Sequence, residues 1–317
     1  MFSPPIWAAR KPSRMTARSP PMPDAVQFIQ SLVNGVGVGL IYGLVGIGFC
    51  VIYNASGIVN FAQGVFVMLG GMACEVLLRK FHLPLPIAFL IAVPFVALVG
   101  LLMEVLVVRP MWNRGSPLFA IILATLATQI MIERITILTV DEQPHTFQEF
   151  TLGGPLKIGA IAIPYQLFWI VGCGALMVGL LWLFFTRTRA GRALRACSQN
   201  REAAALLGIP VGAMLLLSFA LSAALGAVAG ILVTPMQAIA FNSGTPFGVS
   251  GFIAAIIGGF GNAAGALAGG ILLGVLQAVA IVLLGAGFKN VAALTALLFV
   301  LFLFPSGLFA GLKPKAH

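Results

Sequence analysis

Long apolar runs dominate the chain, and nearly all of its charges lie in the short segments between them. No Asp, Glu, Lys, Arg or His occurs from Ala25 to Cys74 or from Ala203 to Phe288, and shorter charge-free runs cover 83–103, 115–132, 158–186 and 290–312. About 20 such residues, each adding about 1.5 Å, form a helix long enough to cross a bilayer. The runs therefore predict several membrane-spanning helices.

The limits of these runs predict an all-α, polytopic membrane bundle of about eight transmembrane helices that includes broken or re-entrant segments. Continuous apolar runs exclude a membrane β-barrel, whose strands alternate apolar and polar residues. The helices are expected at 26–52, 60–79, 84–108, 117–139, 165–186, 213–236, 262–284 and 288–305, with a shorter apolar segment at 249–259.

Small residues favour close helix packing in such a bundle. The chain has 37 glycines, and glycine and alanine let helix backbones approach closely where lipid provides no hydrophobic drive for association. We therefore expect Gly265–Gly270 and Leu221–Ile231 to be packing seams.

Basic residues give the bundle an orientation. Residues 186–212 carry Arg187, Arg189, Arg192, Arg195 and Arg201. The positive-inside bias places this loop in the cytoplasm. Counting helices from it places the acidic loop 139–164 outside and the tail 313–317 in the cytoplasm.

The start of the chain has a different character. Residues 1–24 are rich in Pro and Ser, carry four basic side chains and show no apolar periodicity. They predict a disordered basic extension ahead of a transmembrane domain at 25–312. Helix counting places this extension outside, against the positive-inside bias. Either an additional crossing or a true start at Met22 would remove the conflict, and the position of Met22 just before the first helix favours the second.

Composition excludes several kinds of function. Charged residues make up 8% of the chain, against about a quarter in soluble domains. The net charge of +10 resides between spans, where it indicates topology and contact with membrane lipid and gives no reason to expect nucleic-acid binding. The four cysteines show no metal-ligand spacing.

No cofactor, metal site or catalytic residue is expected. The three histidines, His82, His145 and His317, appear in the sequence as isolated residues at or near loops or the terminus. None of the six lysines is followed by Ser or Thr, so the phosphate-binding loop of ATPases is absent.

Few ionisable residues lie near the spans. They are Glu75 with Arg79, Glu104 with Arg109, and Glu133 with Arg134. We expect interfacial pairs and snorkelling side chains at these three places, whereas ion-coupled transporters usually carry such groups within their spans. If the chain takes part in active transport, another subunit must supply the energy.

The stretch NREAAALLGIP, residues 200–210, interrupts the apolar pattern in the cytoplasmic loop. Asn200 can cap a helix, Glu202 lies in its first turn, Gly208 can take the left-handed cap position, and Pro210 prevents continuation. The stretch predicts about two turns of helix. It is either an interfacial connector or a docking element for a cytosolic partner, and its sharp ends and the preceding basic run favour docking.

EAAALLG, residues 202–208, resembles the EAA-x-x-x-G signature of bacterial ABC-importer permeases. Residues 39–71, 188–209, 252–274 and 304–310 together resemble the LivH-type permeases of branched-chain amino acid transporters, from about residue 25 to the end of the chain. Gln63 is a departure, because that family often has His in NFAHG. A mechanism that needs a titrating side chain at this position therefore fails here.

The resemblance implies a permease in the bacterial inner membrane with several partners. These are a second, similar permease, two cytosolic ATPase subunits and a periplasmic binding protein. By this analogy the periplasmic loop 139–164 meets the binding protein. The residues expected to couple to an ATPase are Arg195, Arg201, Glu202, Ala203 and Gly208.

Two polar breaks mark a candidate path for the solute. Residues 53–57 lead to Gly70 and Gly71, and residues 241–244 lead to Gly258 and Gly259 at nearly equal spacing. Corresponding breaks indicate a transporter path, because unwound backbone and helix ends offer polar groups within the membrane. The expected lining is Asn54, Ser56, Asn60, Gln63, Gly258, Gly259, Gly261 and Asn262. Packing and ordinary loop punctuation are the alternative explanation for each.

The sequence predicts the transmembrane subunit of an ATP-driven importer for branched-chain amino acids or a related small amino acid or amide. The alternative is a passive channel for small polar solutes such as urea or short amides, and a membrane scaffold is a third option. A lining without charge suits a zwitterion better than a strongly anionic solute.

Overall fold

The computed structural model describes residues 25–309 except 152 and 160. The expected extension 1–24 and the tail 313–317 lie outside the described residues.

The described residues form twelve α-helices. They are α1 Ala25–Ser56, α2 Gln63–Lys80, α3 Leu85–Met103, α4 Arg109–Asn113, α5 Leu118–Thr139, α6 Tyr165–Arg187, α7 Arg189–Gln199, α8 Arg201–Leu206, α9 Val211–Val233, α10 Gly244–Gly258, α11 Ala263–Leu284 and α12 Lys289–Leu303. A π-helical turn, Glu104–Val108, joins α3 to α4, and a 3-10 turn, Ala286–Phe288, precedes α12.

The all-α expectation for the bundle is confirmed. The described chain has seven helical stretches long and apolar enough to cross a membrane, with α10 as a shorter apolar helix. The loop 139–164 adds a small antiparallel hairpin, β1 Leu156–Ile158 and β2 Ile161–Ile163, which the sequence did not predict. Gln30 of α1 exchanges two hydrogen bonds with the backbone of Ala162, so the hairpin is fixed to the start of α1.

α1 is the central helix, and glycine makes its packing possible. Gly35, Gly39 and Gly43 recur every four residues and form one stripe. This stripe lies against the backbone of α11 at Gly270 and Gly274. A side chain on either helix would overlap the other, so the two backbones are in direct contact. α11 also packs at Gly265 and Gly269 on α10, as expected for that seam.

The outermost helices expose apolar side chains. Leu90 and Phe119 are examples on α3 and α5, and Trp182 and Phe302 are examples on α6 and α12. In water such a surface would be an aggregation risk, but in a bilayer it faces lipid. The strongly buried core lies instead around α1, α2, α9 and α10.

Two helices cover only part of the depth of the bundle. α10 has 15 residues, about 22 Å at 1.5 Å per residue. Its first turn meets the middle of α1, where the Phe247 and Tyr42 rings lie 6.3 Å apart. α2 begins beside the first turn of α10, where Gly64 lies directly against Gly244. The two helices then run in opposite directions, so their N-terminal ends meet within the bundle.

The bundle has two distinguishable faces. We call the end that carries α7 and α8 the α8 face. The last turn of α1 lies there, since Arg201 of α8 approaches Gly57. We call the other end the outer face, after the orientation that the basic residues predict. There Arg79 at the end of α2 lies 3.9 Å from Asp141 just beyond α5.

Two predicted boundaries were wrong by four residues or more, and one segment expected as loop is helical. α1 extends to Ser56 instead of residue 52, because the Ser56 hydroxyl donates to the Ile52 carbonyl at 2.7 Å and leaves the helix intact. α10 begins at Gly244 instead of residue 249, and Pro246 is tolerated because it lies in the first turn. The basic segment before Asn200 is helix α7, with Leu194 buried against the bundle.

Candidate functional site

The chain between α1 and α2 leaves the helical conformation at residues 57–62. Ser56 closes α1 by accepting from the Ile58 amide at 3.0 Å, and Asn60 accepts from the Ala62 amide at 3.1 Å. Asn60 is 1% exposed, and its Nδ2 has no hydrogen-bond partner among the described residues. The break is therefore a polar segment inside the bundle, with an amide nitrogen available to a further acceptor.

Gln63 lies at the start of α2 and is fully buried. Its Nε2 donates to the Ser222 carbonyl at 3.1 Å, and its Oε1 lies 2.6 Å from the Ser222 hydroxyl. The same hydroxyl lies 2.8 Å from the carbonyl of Gly48. Gln63 thus joins α1, α2 and α9 in this conformation and faces no open space.

The other predicted lining residues meet near the α8 face. Asn54 is part of α1, and its Nδ2 donates to the Gly261 carbonyl at 2.8 Å. Asn262 caps α11 by accepting from the Gly265 amide at 3.2 Å. Gly259 and Gly261 have φ of 96° and 91°, a conformation that other residues adopt only with strain. These glycines allow the sharp turn from α10 into α11.

A cavity of about 600 Å³ opens at this turn. Its lining includes Tyr53, Gly259, Phe260, Asn262 and Ser306. Gly258 lies behind it, in backbone contact with Gly265 of α11.

The predicted path residues therefore fall into two groups and do not form one continuous lining in this conformation. Asn54, Gly258, Gly259, Gly261 and Asn262 lie together near the α8 face. Asn60 belongs to the α1–α2 break, and Ser56 and Gln63 are the helix residues on either side of it. Whether either group contacts a solute stays a prediction.

α5 contributes a polar stripe that the sequence analysis missed. Thr125, Gln129 and Glu133 recur every four residues on one side of this helix. The Thr125 hydroxyl accepts from the Phe61 amide in the α1–α2 break at 3.2 Å. One turn further, Gln129 Nε2 donates to Thr245 Oγ1 of α10 at 2.6 Å. The stripe thus connects the two breaks over about 6 Å of helix.

The four-residue spacing of these side chains is the feature of the sequence from which the stripe could have been predicted. A neutral Thr or Gln in an apolar helix is usually satisfied within its own helix, as Thr128 is by the Ala124 carbonyl at 2.8 Å. Only the contacts with Phe61 and Thr245 distinguish the stripe from such local bonding.

Two of the three expected ion pairs are present. Arg79 Nε lies 2.9 Å from Glu75 Oε1, and Arg109 Nη2 lies 3.1 Å from Glu104 Oε2. At the third place no pair forms, because Glu133 makes no ion pair within 4 Å among the described residues and Arg134 is exposed. Its Oε1 accepts from Gln129 at 3.1 Å and from Thr245 at 3.3 Å.

The expectation that His145 is isolated was wrong. His145 is 5% exposed and lies between two carboxylates. Its Nε2 is 2.6 Å from Asp141 Oδ1, and its Nδ1 is 3.3 Å from Glu75 Oε1. The partners are 4 and 70 positions away in sequence (145 − 141 and 145 − 75), so only folding brings this cluster together. The His145 backbone also pairs with Ile239, joining the outer loop to the segment that precedes α10.

The cluster lowers the pKa of the Asp141 carboxyl, chiefly through the hydrogen bond from His145. The Gln143 amide and the charges of His145 and Arg79 act in the same direction, and desolvation opposes them. Across the described residues, no group of three His, Cys, Asp or Glu side chains is arranged to hold a metal ion.

α8 forms as its sequence predicts. The Asn200 side chain accepts from the Ala203 amide at 3.0 Å, and Gly208 has φ of 80°. Glu202 lies in the first turn and is exposed, as is Ala203. Arg195 of α7 is exposed beside it.

Arg201 fixes α8 to the bundle. Its guanidinium lies 5.1 Å from the Trp112 ring centre, a cation–π contact. Its partial burial lowers the pKa of the guanidinium. Ser56, Glu104, Trp112 and Arg201 line a cavity of about 330 Å³ between α8 and the end of α1. α8 thus lies directly next to the α1–α2 break.

These features define a multi-pass membrane permease with broken helices that meet inside the bundle. The chain belongs to the family of permease components of branched-chain amino acid transport systems, whose family model matches residues 31–304.

Named relatives agree with this family. The chain is 32% identical to the high-affinity branched-chain amino acid transport system permease protein BraD of Pseudomonas aeruginosa, over 90% of this chain and 97% of that protein. It is 29% identical to the corresponding LivH protein of Escherichia coli strain K12, over 89% and 95%. It is 30% identical to a probable LivH of Methanocaldococcus jannaschii, over 77% and 78%.

These comparisons favour the transport permease over the passive channel. A solved structure, PsaBC from Streptococcus pneumoniae in complex with Fab, has a TM-score of 0.49 at 14% identity, over 90% of this chain and 93% of that chain. This likeness is too weak to support an argument about function.

Proposed function

We propose that this chain is the transmembrane permease subunit of an ATP-driven importer that brings branched-chain amino acids across the bacterial inner membrane. The relatives named above are permeases of branched-chain amino acid systems. The chain itself carries no phosphate-binding loop, so the proposal assigns ATP hydrolysis to separate subunits.

One observation carries the coupling part of the proposal. Leu206 and Leu207, at the end of α8, are 89% and 82% exposed, whereas Ala204 on the inner side of the helix is buried. A short helix with an anchored base and an apolar end suits insertion into a groove on another protein. We assign that groove to a cytosolic ATPase, with Arg195, Arg201, Glu202, Ala203 and Gly208 at or beside the contact.

The mechanism follows from what α8 contacts. Movement of an ATPase would push α8, and Arg201 would carry the displacement to Trp112 and Gly57. Gly57 begins the α1–α2 break, where only a few residues need to change conformation. The proposed result is alternating access between the outer face and the α8 face.

The remaining partners follow from the geometry of an importer. A second, similar permease would complete the path, and two ATPases would contact the two α8 helices. A periplasmic binding protein would contact the outer loop 139–164, which the His145–Ile239 pairing holds against the segment that precedes α10.

The substitution Glu202→Lys tests the coupling assignment. It reverses the charge at the first turn of α8, where the helix dipole favours an acid. We expect loss of ATPase association or of coupled uptake, measured by co-purification and by ATP-dependent leucine uptake, with unchanged membrane insertion. Glu142→Lys, the same charge reversal on an exposed residue of the outer loop, is the matched control and should retain ATPase association. Normal uptake by Glu202→Lys would contradict the assignment.

A further inference from the structure

Glu133 differs from the other acidic residues of the apolar helices. Glu75 and Glu104 each have an arginine nitrogen within 4 Å. Glu133 has no cationic nitrogen within that distance in the part of the chain that the structure describes. Both of its hydrogen bonds reach Oε1, from Gln129 and from Thr245. Its second oxygen, Oε2, accepts no hydrogen bond from a described residue.

The position of Glu133 makes an unbalanced charge costly. It lies six residues before the end of α5 (139 − 133), about 9 Å inside the helix. A carboxylate at this depth is unfavourable against lipid, and such groups usually face a polar cavity or a partner. The adjacent Arg134 is exposed on the same helix but does not pair with it.

Neighbouring side chains hold the Glu133 carboxylate in position and leave it accessible on one side. Gln129 is 6% exposed and places its Nε2 within 3.1 Å of Glu133 and 2.6 Å of Thr245. Thr245 is exposed and Glu133 is partly exposed. A small ligand can therefore approach the free oxygen while buried Gln129 holds the carboxylate in place.

The location connects this cluster to both breaks. Thr245 lies in the first turn of α10, beside the start of α2 at Gly64. Thr125, two turns away on the same stripe, contacts the α1–α2 break. A ligand at Glu133 would therefore lie near the place where α2 and α10 begin.

We propose that Glu133, Gln129 and Thr245 form a binding site for the ammonium group of the transported amino acid. The ammonium would donate to Glu133 Oε2 and to the hydroxyl oxygen of Thr245, forming charge-assisted hydrogen bonds. The N-terminal ends of α2 and α10 would favour the carboxylate of the same zwitterion.

The proposal narrows the substrate class. Urea and short amides carry no positive charge, and carboxylic acids without an amino group would be repelled by Glu133. The site therefore selects a free amino acid. This inference rests on the proposed function, since it places the site on the path of an importer.

Leucine uptake by the complete importer in proteoliposomes tests the site, with the second permease, the ATPases and the binding protein present. Glu133→Gln removes the charge at nearly constant shape and should lower leucine uptake by about tenfold, as loss of one charge-assisted contact implies. ATPase stimulation by the binding protein should persist, because α8 is unchanged. Glu133→Asp keeps the charge and should retain most of the uptake, and Arg134→Gln on the adjacent exposed residue should not lower it.

The outcomes separate this inference from the proposed function. A wild-type assembly without ATP-driven leucine uptake would contradict the proposed function. Wild-type uptake that Glu133→Gln leaves unchanged would contradict the ammonium site alone. Equal losses in Glu133→Gln and Glu133→Asp would also contradict it, since they would indicate a role in packing.

A second measurement does not depend on transport activity. Thr245→Cys in the complete importer can be modified with a thiol reagent that carries an ammonium group or with one that carries a sulfonate. Relative to their rates with a free thiol, we expect the ammonium reagent to react about tenfold faster. Glu133→Gln should abolish this preference, and leucine should slow the reaction. A preference that persists without Glu133 would overturn the proposal.

Discussion

Three polar side chains lie within or at the start of membrane helices: Gln63, Gln129 and Glu133. They differ in whether their surroundings enclose them or leave them accessible. Gln63 is enclosed and joins three helices through Ser222 and Gly48. Gln129 is also buried, but it holds Glu133 at an open edge. A buried side chain whose hydrogen-bonding atoms have partners indicates a packing role. A carboxylate that is held in position without a cationic partner indicates a ligand site. Sequence reasoning named Gln63 as part of the path and Glu133 only as an interfacial residue, and it did not single out Gln129, which looks like any polar residue in an apolar helix.

Replacing Gln63 with Leu should destabilise the protein without a large change of volume. The substitution removes the bonds to Ser222 and leaves a buried hydroxyl with one partner fewer. Interhelical hydrogen bonds in membranes contribute about 1 kcal/mol. We expect a lower melting temperature in detergent. Gln199→Leu on the exposed side of α7 is the control, and equal melting temperatures for the two variants would refute the role assigned to Gln63.

The Asp141–His145 contact predicts a response of the outer loop to acid. The folded protein lowers the pKa of Asp141 from its ordinary 3.8. Ionised Asp141 therefore stabilises the fold above that value, and the contribution is lost as the pH falls through the lowered pKa. Arg79 and the Gln143 amide also face Asp141, and Glu75 faces His145 from the other side.

Hydrogen exchange, corrected for its intrinsic pH dependence, can follow this contact at the paired amides of His145 and Ile239. Protection should fall as the pH drops below the ordinary pKa of Asp. Asp141→Asn should remove the acid-dependent step. Protection that falls equally in wild type and Asp141→Asn would show that another group is responsible.

At the scale of elements, α2 and α10 have 18 and 15 residues and begin side by side. Each follows a non-helical segment, 57–62 before α2 and 234–243 before α10. The close contact of their first turns depends on Gly64 and Gly244, which have no side chain to separate them. The two N-terminal ends lie next to each other and create a positive region inside the bundle. Glu133 lies beside this region.

Gly64→Ala should disrupt this junction. A methyl group on Gly64 would overlap the Gly244 carbonyl oxygen, so α2 and α10 must move apart. Overpacking of this kind costs about 1–3 kcal/mol. The melting temperature and the yield of monodisperse protein should fall. Gly172→Ala on α6 faces open space and should be tolerated, and equal behaviour of the two variants would contradict the described junction.

Most helices could be predicted from the sequence because apolar length alone decides where a membrane helix fits. Helix breaks were harder to place. Asn54 and Ser56 suggested a break, but their side chains bond within or beside α1 and leave it helical. The segment before residue 249 suggested a loop, although its Pro246 belongs to the first turn of α10. The hairpin of β1 and β2 could not be predicted, because three residues per strand are too few to show an alternating pattern.

At the scale of the whole molecule, α8 and the two breaks form a connected arrangement. α8 is anchored by Arg201 near Gly57, the α1–α2 break contacts α5 through Phe61, and α5 contacts α10 through Thr245. This connection offers a physical route from α8 to the interior of the bundle. The capping residues of α8 could be predicted from sequence, since caps are local. The contacts of α5 could not, because they join residues more than 60 positions apart.

The central claim is that this chain transports amino acids only with energy from separate ATPase subunits. The most direct test compares leucine uptake into proteoliposomes that contain this chain and its permease partner, with and without the ATPases, ATP and the binding protein. We expect accumulation against a gradient only in the complete, ATP-supplied assembly. Accumulation of leucine against a gradient by this chain alone would contradict the account.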